Sequence, residues 1–147
     1  MTRHLRGTLL ALGAALMLST TTATADEWNQ ETILTINQPM VVPGATLAPG
    51  TYIFKLADGD AGRTVVNIFR ESDRALMATA QTVRMHRTER TGDIVLKLAL
   101  AEDGTGPTMK GWFYPGRSDG HEFLYPKEQA RAIARAETVD MPVAPRG

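Results

Sequence analysis

Beyond residue 30, apolar and polar residues alternate along much of the chain, and the period is two. The cleanest run sets Ile94, Leu96, Leu98 and Leu100 against Val95, Lys97 and Ala99. That spacing places successive side chains on opposite faces of an extended strand. Residues 51–56 alternate likewise, with Tyr52, Phe54 and Leu56 on one face and Thr51, Ile53 and Lys55 on the other. Shorter β-branched or aromatic runs at 32–36, 40–42, 64–69, 76–84, 110–114 and 122–125 bring the total to about eight strands.

Turn-forming residues punctuate these runs. Pro49-Gly50 matches a type II turn, with Pro setting the first central φ and Gly supplying the positive one. Pro39 and Pro43 flank residues 40–42 and predict an edge strand near Met40. Short strands with frequent turns predict a mostly β fold, a single antiparallel β-sandwich or barrel-like domain. One short C-terminal helix is predicted over 127–136, from Pro126 at its first turn and Ala130, Ile133 and Ala134 at helical spacing. Residues 137–147, with Pro142 and Pro145, read as a disordered tail, which gives a β domain of residues 26–136.

The first 25 residues follow a different pattern. Arg3 and Arg6 precede an apolar run over residues 8–18, and Ala23-Thr24-Ala25 offers small residues just before Asp26. These are the three parts of a secretory signal peptide, predicted over 1–25. The apolar run is shorter than the roughly 20 residues that span hydrocarbon. No later stretch approaches that length, so no membrane span is expected after cleavage. The expected location is the periplasm or the extracellular space. Losing Arg3 and Arg6 changes a balance of 16 basic and 16 acidic residues to 14 against 16. A slightly acidic domain lacks the basic footprint of nonspecific nucleic-acid binding.

There is no cysteine, so disulfides, thiol nucleophiles and Cys-based metal sites are excluded. His86 and His121, even with Asp119 and Glu122, show no metal-ligand spacing, and neither a metal nor a cofactor is expected. Residues 116–120 match the pattern G-x-S-x-G around Ser118. In a hydrolase that pattern sits on a strand-to-helix turn of a large parallel sheet. Here it follows Tyr114-Pro115 and precedes another short strand, so it reads as a turn. No credible catalytic set remains, and a hydrolase is only a distant alternative.

Two clusters are candidate binding sites. Trp112, Phe113, Tyr114, Phe123 and Tyr125 hold more than half of the nine aromatics within 14 residues. Buried, they form a core; exposed, Trp112, Tyr114 and Tyr125 with His121 form a platform for a small ligand or a carbohydrate. Burial is the simpler reading, because so small a domain has few other large residues. Arg84, His86 and Arg87 make a basic cluster near a hairpin end closed by Gly92, suited to a phosphate or an acidic polysaccharide. Its plain reading is a solvated hairpin end.

Three segments together carry a resemblance: 43–56 (PGATLAPGTYIFKL), 112–116 (WFYPG) and 122–127 (EFLYPK). With them the chain resembles a family of small exported bacterial proteins over roughly residues 28–136. That resemblance implies an exported, compact, mostly β domain. The family has no assigned activity, so it supplies no catalytic or binding residue. The expected function is therefore a noncatalytic envelope domain that binds a protein or cell-surface partner, such as a surface polysaccharide.

Overall fold

Alternation along the chain becomes one mixed β-sheet in the computed structural model, which describes residues 31–58 and 64–143. The strands are β1 (Glu31–Ile36), β2 (Met40–Val42), β3 (Ala45–Leu47), β4 (Gly50–Asp58), β5 (Thr64–Arg70), β6 (Leu76–His86), β7 (Ile94–Ala99), β8 (Thr108–Phe113), β9 (Asp119–Phe123) and β10 (Thr138–Val143). A short helix, α1 (Lys127–Arg135), lies between β9 and β10. The predicted signal peptide, at residues 1–25, lies outside the described residues. Among the described residues, no helix is long and apolar enough to cross a membrane.

Neighbouring strands run β1-β4-β5-β6-β9-β8, and β8 also pairs with β7 and β2. All pairings are antiparallel except β2 with β8. The sheet is strongly rolled. On a flat sheet β4 and β8 would stand about 19 Å apart, four strand spacings. Instead the rings of Phe54 and Trp112 meet at 5.6 Å. The two end strands also approach, since Ile36 of β1 and Met141 and Val143 of β10 line one groove of about 330 Å³. No ladder joins β1 to β10, so the sheet does not close into a barrel.

The concave face of the roll holds the core. Leu34, Phe54, Ile68, Leu96, Met109 and Trp112 are all almost wholly buried there. Burying each such side chain contributes about 1.5–3 kcal/mol before the entropy of ordering is subtracted. α1 is carried on the flank of β8 and β9, where Ile133 and Ala130 share a shallow groove with Phe123 and Tyr125. None of its side chains is fully buried.

Four expectations are corrected. The turn assigned to Pro49-Gly50 is absent: Gly50 is extended and opens β4 opposite Ile36. Its chemistry is used at Pro43-Gly44, where Gly44 has φ 81° between β2 and β3. Met40 is not on an open edge, because β2 pairs with β3 and with β8, and Met40 is buried. Residues 87–93 do not close a hairpin, since β6 pairs with β5 and β9 while β7 pairs with β8 and β10. The tail expected to be disordered forms β10, at least as far as Val143. Val139 and Met141 pack on the core there, and Asp140 reaches Lys97 at 3.2 Å. Pro142 is tolerated because β10 is an edge strand.

Candidate functional site

The site grows out of an unusually close approach between β8 and β9. A Cβ placed at Gly111 would overlap the carbonyl oxygen of His121, and one at Gly120 would overlap that of Trp112. Glycine at both positions lets the strands press together. Between them, Trp112 and His121 stand directly opposite in the register and stack at 5.2 Å. Trp112 also packs on Phe54 and Phe123, and Tyr114 sets its ring edge-on to His121 at 5.8 Å.

His121 is anchored from β6. Its Nδ1 lies 3.2 Å from the hydroxyl of Thr82, and that hydroxyl donates to the backbone carbonyl of Thr64 at 3.2 Å. A hydroxyl carries one hydrogen, so Thr82 accepts from His121 and the proton sits on Nδ1. This tautomer, assigned from the hydrogen-bond network, leaves the Nε2 lone pair facing away from Thr82. Burial, aided by the charges of Arg84 and Arg117, pushes the imidazole pKa down to about 4 against an opposing pull from Asp119. The ring is therefore neutral near pH 7.

Around it, the β6–β9 register sets Arg84 opposite His121 and His86 opposite Asp119, at the open end of the concave face. Asp119 is held by Arg117 through two bonds of 2.8 and 2.9 Å. Partial burial works to raise the Asp119 carboxyl, but the bond and charge of Arg117 outweigh it and hold the pKa below the usual value. Burial lifts the Tyr114 hydroxyl to about 12, with Arg117, Arg84 and the nearby Trp112 indole acting the other way. The Trp112 N–H itself is buried without a well-formed hydrogen bond.

The predicted residues thus divide. Arg84 and His86 join His121 and Tyr114, merging parts of two clusters that the sequence kept apart. Arg87 does not join them. It lies over the Phe113 ring at 4.6 Å and donates to the carbonyls of Tyr114 and Arg117. Trp112 is wholly buried and Tyr114 is 8% exposed, so neither offers a ring face for stacking a sugar. Tyr125 is half-buried, and its hydroxyl donates to the Met109 carbonyl. Ser118 lies in the turn before β9, where its carbonyl accepts from the Arg87 N–H. Among the described residues, no group of three or more His, Asp or Glu is placed to hold a metal ion.

Sequence reasoning missed Thr82, whose only signal is a threonine at an inward-facing strand position, and the backbone carbonyl of Thr64, which no side chain signals. It also missed an apolar row on the convex face. Ile33, Ile53, Phe69 and Leu76 pair in succession across β1, β4, β5 and β6. Ile53 is buried between its neighbours, whereas Ile33 is 38% and Leu76 57% exposed. The row ends at β1, whose outer edge has no strand partner among the described residues. No family model, curated protein or solved structure matches this chain.

Proposed function

We propose that this chain is an exported, noncatalytic β domain of the bacterial cell envelope that docks a partner protein along β1. The observation that carries the reading is the apolar row ending at an unpaired strand edge. A partner segment added to β1 would satisfy that edge's free backbone groups and set its own apolar side chain beside Ile33. The row would then continue into the partner, bringing exposed apolar surface under cover. β1 is fit for this role: six residues, no proline and no bulge, the features that native edges otherwise use to block pairing. Residues 1–25, read as a signal peptide, and the resemblance to small exported proteins support the envelope location. A carbohydrate platform is less well supported, because Trp112 and Tyr114 turn their faces into the core.

The test is photo-cross-linking in intact cells, with the cross-linker at exposed Thr35 of β1, on the same face as Ile33, and, separately, at exposed Glu102 beyond the row. A single protein captured from residue 35 only, and lost on Ile33→Glu, is the expected result. Equal capture from both positions, or none from residue 35, overturns the reading.

A further inference from the structure

We propose that the open end of the concave face binds a small hydroxy-carboxylate, of the kind a sugar acid presents, between Arg84 and His121. Two observations define the ligand. The first is an uncompensated cation. Arg84 makes no ion pair among the described residues, while the nearby carboxylate, Asp119, is already occupied bidentately by Arg117. Arg84 stands opposite His121 in the register, and its charge acts on His121, Tyr114 and Asp119 alike. A guanidinium fork suits a carboxylate.

The second observation is an acceptor with nothing to accept. Among the described residues His121 makes one hydrogen bond, through Nδ1, and none through Nε2. Among the described residues the only fully buried side-chain polar atoms left unpaired are Thr32 Oγ1 and Trp112 Nε1, so Nε2 of His121, a residue 7% exposed, is not wholly sealed from solvent. A neutral ring with its proton committed to Thr82 can only accept at Nε2. It therefore calls for an O–H beside the anionic group, which acetate or chloride does not supply. The Thr64–Thr82–His121 chain and the Trp112 stack fix the ring before any ligand arrives, which lowers the ordering cost of binding. This site lies on the concave face, apart from the β1 row, and stands whether or not that row docks a partner.

The experiment is an NMR titration of the full chain, labelled with ¹⁵N at histidine and arginine, with D-glucuronate, glucose and acetate added separately near pH 7. Glucuronate is expected to give saturable shifts at His121 Nε2 and at the Arg84 side chain. Glucose lacks the carboxylate and acetate the hydroxyl, so each should bind at least about tenfold more weakly. Arg84→Gln should weaken glucuronate by a similar factor. Arg131→Gln, an exposed arginine of α1, should leave it unchanged. No saturable shift, equal binding of acetate, or indifference to Arg84→Gln overturns the proposal.

Discussion

Thr82 and His121, on adjacent strands, share a buried hydrogen bond that leaves the imidazole with its proton on Nδ1. The carbonyl of Thr64 sets the direction, because it takes the one proton Thr82 has to give. The ring is consequently a neutral part of the core whose protonation opposes folding.

That opposition has a definite pH window. The His121 pKa falls from 6.5 to about 4 on folding. Between those values the unfolded chain binds a proton that the folded chain does not, so stability drops as pH falls. The full contribution is present above about pH 6.5, and its total loss by pH 4 is on the order of 3 kcal/mol. His121→Asn keeps a nitrogen donor toward Thr82 but cannot titrate. Urea unfolding of both proteins between pH 4.5 and 7 should show a shallower pH slope in the variant, by nearly one proton. Identical slopes would contradict the assignment.

Glycines 111 and 120 should tolerate no side chain. An added methyl at either meets strand backbone rather than a movable side chain. Gly120→Ala should cost about 3 kcal/mol or more, above the usual range for overpacking. Gly92 is a control: its Cβ would meet nothing within 4 Å, and its φ is not in the left-handed region. Gly92→Ala should be neutral or stabilise by about 0.5 kcal/mol through the unfolded chain. Thermal denaturation of the pair separates close strand packing from any general intolerance of alanine.

Arg84 and Arg87, three residues apart, should respond in opposite ways. Arg87→Met removes the bonds to the Tyr114 and Arg117 carbonyls and the charge over Phe113. It should destabilise by about 1–2 kcal/mol. Arg84 is exposed and, among the described residues, makes no ion pair, and Arg84→Gln should change stability by less than about 0.5 kcal/mol at pH 7. The same change should raise the His121 pKa, because a repelling charge is gone. Denaturant midpoints and the imidazole titration by NMR check both halves.

Truncation after Ala136 should lower the melting temperature markedly. It removes β10, whose six residues pair with β7 and whose Val139 and Met141 cover Leu98 and Leu96. Were the tail structurally idle, calorimetry would show no difference between the truncated and full chains.

Much of the fold was legible because strand alternation is local. Ile94, Leu96 and Leu98 face the core as their spacing requires, whereas Leu100, expected on the same face, lies past the end of β7 and is exposed; the burial of Trp112 follows from the scarcity of other large residues. The tail was not legible. Two prolines obscured the alternation of Val139, Met141 and Val143, whose meaning depends on β7 lying alongside. Arg84 and Arg87 looked like one cluster because sequence proximity does not reveal which face each residue takes.

By itself, then, the sequence determined the strand-rich class, the place of the short helix and the absence of cysteine chemistry. Those properties depend on composition and on local periods, two residues in the strands and about 3.6 in the helix, that each segment carries alone. Tertiary structure decided how far the sheet rolls, that the outer edge of β1 has no strand partner among the described residues, and that Arg84 stands opposite His121. Each of those depends on which strands become neighbours. Pairing of β6 with β9, across more than 30 residues of chain, is set by core burial and by the glycines that let β8 and β9 approach.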